Sequence, residues 1–107
     1  MDRVELLENY CKESPNDPFN WYALALEYAR INIDRSLALH EKISMDFPSY
    51  IPNYYHLAQR YQQLGQTEQA KKCYEKGLVV IEKNKEARAW LELSNAYQNF
   101  LFENDLL

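Results

Sequence analysis

The chain has 107 residues, of which 47% are hydrophobic and 14% aromatic, with only two glycines. This composition predicts one folded helical domain and excludes a disordered chain. The formal net charge of −4 argues against nucleic-acid and anionic-membrane partners, because both require a basic face. We therefore expect neither kind of partner.

Chemistry-bearing motifs are absent from the sequence. It has no Gly-rich phosphate loop and no HExxH motif, and Cys11 and Cys73 stand apart without a CxxC pair. We therefore expect a protein that is not an enzyme, with no catalytic residue, no metal site and no cofactor. No apolar run is long enough to span a bilayer and the first residues form no signal core, which favours a cytoplasmic location.

Apolar periodicity and turn residues predict six helices. In chain order they cover about 2–14, 18–31, 34–46, 51–64, 67–83 and 86–103. The expected N-cap residues are Asp2, Asp17, Asp34 and Thr67. Gly65 supplies the left-handed residue that ends the fourth helix. Gly77 lies inside the fifth helix at a cost of about 1 kcal/mol against Ala, so we expect a neighbouring helix to approach it closely.

One helical signature occurs three times. An aromatic residue is followed by Leu at i+3, a small residue at i+4 and Tyr at i+7, all on one helix face. The copies begin at Trp21, Tyr54 and Trp90. Such repetition predicts two-helix units that bury their apolar faces against one another.

The middle copy, residues 51–84, carries the fullest pattern. Its pattern residues are Tyr54, Leu57, Ala58, Tyr61, Gly65, Ala70, Tyr74 and Gly77. Their spacing over 34 residues resembles the tetratricopeptide repeat. The resemblance implies an all-α fold, a right-handed α-α superhelix of about six helices stacked as antiparallel pairs. Within a single domain, 1–107, it implies a partial leading helix (1–15), a first repeat (18–48), a second repeat (51–84), and the first helix of an incomplete or capping third repeat (86–103).

The first copy departs from this pattern in its second helix. Ser36 replaces a small Ala, His40 replaces an aromatic residue and Ile43 replaces a second small residue. We expect this helix to pack less closely than its counterpart. The position of His40 explains it as a core or boundary histidine without a catalytic role.

The resemblance also implies a function, which is to bind a peptide or protein partner in a concave groove lined by the first helix of each repeat. The groove residues on those helices are then Tyr22, Leu26, Tyr55, His56, Gln59, Gln62, Arg88, Glu92 and Asn95. One variant of the family clamps the terminal carboxylate of chaperones with Lys, Asn and Arg side chains. Only Arg88 fits that set here, so we expect no carboxylate-clamp chaperone tail.

The last helix suggests an alternative function. One of its stripes is expected to pack on the fourth and fifth helices, and it contains Trp90, Leu93, Tyr97, Phe100 and Leu101. Leu91 and Phe102 lie about 100° around the helix from Trp90, outside that packing. With Leu106 they form an apolar patch for self-association as a homodimer. The same patch is also compatible with a chain cut from a longer repeat array, or with a tail over 103–107 that folds back or is disordered.

Overall fold

Six helices account for the architecture. The computed structural model describes residues 2–107 and contains no strand in that range. The helices are α1 (Arg3–Glu13), α2 (Pro18–Tyr28), α3 (Ile33–Asp46), α4 (Pro52–Gln63), α5 (Thr67–Lys83) and α6 (Ala87–Glu103). This architecture confirms the predicted all-α fold class. None of the helices in the described range is both long and apolar enough to cross a lipid bilayer.

The helices form two compact units. Unit 1 ends at Asn53, and unit 2 comprises Tyr54–Leu107, so the boundary falls in the first turn of α4. The expectation of one domain over 1–107 stays a prediction.

Two of the expected caps are present. The Asp2 carboxylate accepts a hydrogen bond from the backbone N–H of Glu5 at 2.8 Å, and Asp17 accepts one from Phe19 at 3.0 Å. Pro18 occupies the first helical position of α2, where its missing N–H is not needed. Short side-chain acceptors thus start α1 and α2 where the sequence predicted.

The other two expected caps are wrong. Helix α2 ends at Tyr28, three residues earlier than predicted, so the turn places Asn32 rather than Asp34 before α3. The Asn32 amide oxygen accepts from the backbone N–H of Arg35 at 3.1 Å. Thr67 is already the first residue of α5, and Gln66 before it makes no side-chain cap bond.

The core of unit 1 lies where α1, α2 and α3 meet. Leu7, Cys11, Leu24, Ala25 and Leu39 are buried there, and Trp21 and Tyr28 pack against them. Burying a side chain such as Leu24 stabilises the fold by about 1.5–3 kcal/mol. Both Ala25 and Ser36 are small, which allows the Ser36 hydroxyl to donate to the Ala25 carbonyl at 2.7 Å. This bond ties α3 to α2.

The three residues that were expected to loosen the packing of α3 are buried from solvent. Ser36, His40 and Ile43 are all fully buried. His40 Nδ1 lies 2.7 Å from Asn53 Oδ1, and Asn53 Nδ2 donates to the His40 carbonyl at 2.9 Å. Because Asn53 Oδ1 can only accept, Nδ1 of His40 carries the proton. A paired hydrogen bond therefore fills the position of the usual aromatic residue, and the interpretation of His40 as a core histidine fits this burial.

The core of unit 2 depends on close approach at Gly77. A methyl group built there would lie 2.8 Å from Tyr54 Cβ and 2.8 Å from Leu93 Cδ2. The Cys73 thiol donates to the Tyr54 carbonyl at 3.4 Å, one helical turn before Gly77. The expectation of close approach at Gly77 is confirmed, since α4 and α6 both reach this glycine on α5.

The exposure of Trp90 shows that the predicted packing of α6 is wrong at this residue. Leu93, Phe100 and Leu101 are buried as expected, whereas Trp90 remains 40% exposed. The equivalent residue of the middle copy, Tyr54, is 1% exposed because α5 covers it. No helix follows α6 within residues 2–107, so nothing in that range takes the place of α5 over Trp90.

Candidate functional site

Helix α4 carries four of the predicted groove residues, Tyr55, His56, Gln59 and Gln62. Helix α4 buries Tyr54, Leu57 and Ala58, while the next residue, Tyr55, is 39% exposed. Tyr55 lies about 100° around the helix from Tyr54, and Gln59 follows one turn later on the same side. The buried stripe therefore fixes which side chains α4 turns outward.

Two neighbours hold the Tyr55 ring in place. The His56 ring meets it edge-on, with centroids 5.3 Å apart and planes at 83°. The Gln59 side-chain amide donates to the Tyr55 hydroxyl at 2.9 Å. Burial lowers the pKa of His56, and the charge of Arg60 lowers it further, so the imidazole is neutral at pH 7. Together these residues form an aromatic platform edged by an amide, and we call Tyr55, His56 and Gln59 the Tyr55 platform.

Gln62 is committed to α5. Its side-chain oxygen accepts from the Tyr74 hydroxyl at 2.6 Å, and the Tyr74 ring stacks on Tyr97 with centroids 5.4 Å apart. Burial raises the pKa of Tyr74 to about 12, and nearby Tyr55 adds to the shift. A partner could therefore bind Gln62 through the amide N–H groups of its side chain, because the oxygen is already hydrogen-bonded to Tyr74. Sequence reasoning did not predict the hydrogen bond of the Tyr74 hydroxyl, since the repeat pattern specifies only an aromatic ring at this position.

Arg60 is a buried cation that sequence reasoning also missed. It is 7% exposed, and its Nη1 donates to Gln63 Oε1 at 2.6 Å. Burial lowers the pKa of its guanidinium. Helical spacing could have predicted the burial of Arg60, because Arg60 follows Leu57 by three residues and lies on the same buried side of α4.

The α6 members of the predicted groove are strongly exposed. Arg88 Nε lies 3.5 Å from Glu92 Oε1, so the two charges offset each other on the surface. Such exposed pairs contribute little to stability, about 0.3–0.5 kcal/mol. Asn95 is exposed one turn further along. This side of α6 therefore offers polar contacts with no uncompensated positive charge from Arg88.

In unit 1 the predicted groove residues are Tyr22 and Leu26, both half-buried on α2. The Tyr22 ring meets Tyr50 edge-on at 5.5 Å and His40 at 6.2 Å. Burial raises the pKa of Tyr22, with a smaller contribution from Tyr50. Tyr22 thus packs within unit 1 while keeping part of its ring accessible.

The proposed self-association residues are accessible. Leu91 is 56% exposed, Phe102 is 74% exposed, and Leu106 is exposed as well. Within residues 2–107, no three His, Cys, Asp or Glu side chains are grouped so that they could hold a metal ion.

Comparison with known proteins identifies the repeat. The family model described as tetratricopeptide repeat matches residues 51–80, which cover α4 and most of α5. No curated protein matches the chain significantly.

Two solved structures resemble most of the chain. Both are described as a tetratricopeptide repeat domain protein from Salinibacter ruber. The solution NMR structure is 36% identical, covering 80% of this chain and 88% of that one, with a TM-score of 0.76. The crystal structure is 35% identical, covering 78% of this chain and 96% of that one, with a TM-score of 0.74. The chain belongs to the tetratricopeptide repeat family, and this membership indicates a protein-interaction module.

Proposed function

We propose that the chain is a non-enzymatic interaction module that binds a peptide or protein segment on the outward face of its first helices. The observation that carries this proposal is the Tyr55 platform, where an exposed ring is held by His56 and Gln59. The remaining proposed contacts are Tyr22, Leu26, Gln62, Arg88, Glu92 and Asn95.

A fixed aromatic ring is well suited to binding. Side chains that are already ordered lose less entropy on association, a saving of about 0.5–1.5 kcal/mol for each side chain. Tyrosine combines a large apolar surface with a polar hydroxyl, and it is among the residues most often found to dominate binding energy. Side-chain amides such as that of Gln59 can pair with a peptide backbone. These properties support Tyr55 as the anchor.

The chemistry of the proposed site favours a neutral or mixed peptide. Arg88 is paired with Glu92, and Tyr22 and Leu26 carry no charge. A free acidic peptide terminus would need uncompensated cations. We therefore propose that chaperone tails of the carboxylate-clamp type are not ligands.

The experiment is a screen of immobilised peptides followed by titration of the best binder. Tyr55→Ala should weaken binding by at least 10-fold, about 1.4 kcal/mol, and Gln59→Ala should weaken it less. Tyr55→Phe separates the ring from the hydroxyl. Val79→Ala, at an exposed apolar residue of α5, is the matched control and should bind normally. Unchanged binding by Tyr55→Ala, or tight salt-sensitive binding of acidic tails, would contradict the proposal.

Self-association is a second candidate function, from a different class. The exposure of the large apolar side chains Leu91, Phe102 and Leu106 on and after α6 favours it, because exposed apolar side chains are often covered in an interface. In this case the chain would act as a structural or assembly protein rather than as a peptide receptor.

We propose a cytoplasmic location as well. Cys11 and Cys73 are both buried free thiols, which fits a reducing compartment. Cell fractionation with an antibody to the chain tests this, and recovery in an oxidising compartment would refute it.

A further inference from the structure

The side of α4 opposite its buried stripe carries uncharged side chains that can form hydrogen bonds. Tyr55, Gln59, Gln62 and Gln63 fall within about 100° of one another around the helix. Tyr55 and Gln63 are exposed, and Gln59 and Gln62 are half-buried. Arg60 is the only Lys, Arg, Asp or Glu residue of α4, and it is 7% exposed. We call Tyr55, Gln59, Gln62 and Gln63 the α4 row.

The hydrogen bonds that two glutamines already make determine what the α4 row can offer a ligand. The Gln62 side-chain oxygen accepts from the Tyr74 hydroxyl at 2.6 Å, and the Gln63 oxygen accepts from Arg60 Nη1 at 2.6 Å. A guanidinium can only donate, so Arg60 fixes the orientation of the Gln63 amide. Both amides therefore keep the N–H bonds of their Nε2 atoms for a ligand.

The Tyr55 hydroxyl adds a further donor to the α4 row. Its oxygen accepts from the Gln59 amide at 2.9 Å, so its own proton is available to donate. Gln59 in turn keeps its side-chain oxygen as an acceptor. The row thus offers donors from Tyr55, Gln62 and Gln63 and an amide acceptor from Gln59.

This excess of donors selects among the backbone conformations of a bound peptide. A helical peptide has already paired its carbonyls internally. A β-strand presents an N–H group for every carbonyl, so it needs as many acceptors as donors. A polyproline II segment has no internal hydrogen bonds, and each proline in it supplies a carbonyl without an N–H. Of the three conformations, polyproline II matches the α4 row.

The length of the α4 row and the Tyr55 ring fit the same ligand. From Tyr55 to Gln63 the helix rises about 12 Å, which is the length of about four polyproline II residues at roughly 3.1 Å each. The Tyr55 ring is 39% exposed and is held edge-on by His56. Proline-rich segments dock on aromatic side chains, so an ordered and accessible ring suits a proline.

Anionic groups are the other rich source of acceptors, and the charge of this site disfavours them. The α4 row contains no ionised side chain, and burial lowers the pKa of the adjacent His56, which is neutral at pH 7. The whole chain has a formal net charge of −4, which repels anions. A proline-rich segment supplies its acceptors without charge.

We propose that the α4 row binds a proline-rich segment of a partner protein in the polyproline II conformation. A proline ring packs on Tyr55, and backbone carbonyls of the segment accept from Gln62 and Gln63. A residue other than proline donates its N–H to the Gln59 oxygen. This inference rests on the proposed function, peptide binding at Tyr55, and adds to it the class of peptide.

The test is calorimetric titration of the full chain with a repeated Pro-Pro-Ala peptide of about 12 residues, acetylated and amidated at its ends. One matched peptide replaces every proline by threonine, which favours an extended chain but restores the N–H groups. A second replaces every proline by glutamate, which supplies anionic acceptors. The proline-rich peptide should bind at least about 10-fold more tightly than either.

Gln62→Glu and Gln63→Glu test the donors themselves. Each carboxylate keeps an oxygen that accepts from Tyr74 or Arg60 but removes the N–H bonds. Each variant should therefore weaken binding of the proline-rich peptide about 5-fold, the usual worth of one hydrogen bond. Gln69→Glu makes the same charge change at an exposed residue of α5 and should bind normally. Circular dichroism verifies that each variant is folded.

The outcomes separate the class of peptide from peptide binding itself. If peptides from the immobilised screen bind through Tyr55 but the proline-rich peptide binds no more tightly than its threonine counterpart, the polyproline II ligand is overturned and the interaction module stands. Binding that is insensitive to both Gln62→Glu and Gln63→Glu overturns the same ligand assignment. Tighter binding of the glutamate peptide overturns it together with the neutral character of the site. If no peptide binds in either experiment, the proposed function itself is overturned.

Discussion

Gly77→Ala should destabilise the protein even though alanine is the better helix former. Replacing an interior helical glycine by alanine ordinarily raises the free energy of unfolding by about 1 kcal/mol. Here the new methyl group would lie 2.8 Å from Tyr54 Cβ, 2.9 Å from Tyr54 Cγ and 2.8 Å from Leu93 Cδ2. Two of these atoms stand close to the backbone of α4, so the helices themselves would have to separate.

The magnitude follows from these two opposing effects. Overpacking a filled core costs about 1–3 kcal/mol, and three contacts this short favour the upper part of that range. Subtracting the helix-propensity gain leaves a net loss of about 1–2 kcal/mol. For a domain of about 100 residues, each kcal/mol lowers Tm by about 4–8 °C.

The assay is urea unfolding followed by far-ultraviolet circular dichroism. Lys72→Ala, at an exposed position of the same helix, is the matched control and should change the unfolding free energy by less than about 0.5 kcal/mol. Gly77→Val should be worse than Gly77→Ala because it adds more volume at the same point. A Gly77→Ala variant as stable as the parent, or more stable, would refute the packing explanation.

Buried polar groups lead to three further predictions. His40→Phe restores the aromatic residue of the repeat pattern, yet it should destabilise the fold by about 1–3 kcal/mol, since the buried Asn53 side-chain oxygen loses its donor; urea unfolding measures this. The pKa values of Tyr74 and Tyr97 are raised to about 12 in the fold, so the stability they contribute is complete below about pH 10 and is lost as the pH rises towards 12. In Tyr74→Phe the free energy of unfolding should fall less between pH 10 and 12 than it does in the parent. Tyrosinate absorbance should show that Tyr74 and Tyr97 ionise last. Burial raises the pKa of Cys73 to about 12, so an aromatic disulfide reagent should label it only as fast as the protein unfolds; rapid native labelling would contradict this.

The sequence predicted the elements whose signals are local. Helical periodicity placed α1, α5 and α6 to within one residue at each end, and the caps Asp2 and Asp17 marked the starts of α1 and α2, because these signals act within one turn. Asp34 was predicted as the cap of α3 although Asn32 occupies that position, since the end of α2 depends on a turn whose length the periodicity does not encode. Trp90 was expected inside the core because its pattern matches Tyr54, but burial depends on a covering helix rather than on the pattern.

The candidate site was predictable only in outline. Helical phase correctly turned Tyr55 outward, because the buried stripe of α4 is visible in the sequence. The contacts that hold Tyr55, from His56 and Gln59, depend on rotamers that no spacing rule specifies. A cleft lined by Ile81, Glu82, Lys85, Glu86, Ala87 and Trp90 lies where α5 ends and α6 begins, and Lys85 in the intervening turn has a left-handed φ of 57°, which helical periodicity does not predict.

The hydrogen-bonded pair of His40 and Asn53 has a consequence for how this gene could have diversified. Repeat arrays are usually able to lengthen by duplicating a unit, since neighbouring units present similar apolar surfaces. His40 instead requires an amide side chain, that of Asn53, at the start of the helix that follows. The residue of the second repeat that is equivalent to His40 is Tyr74. A first repeat moved to the position before α6 would leave this buried imidazole facing Ala89, which precedes Trp90 as Asn53 precedes Tyr54 and has no side-chain amide to pair with it. The two repeats are therefore not interchangeable parts, and their order along the chain is fixed chemically.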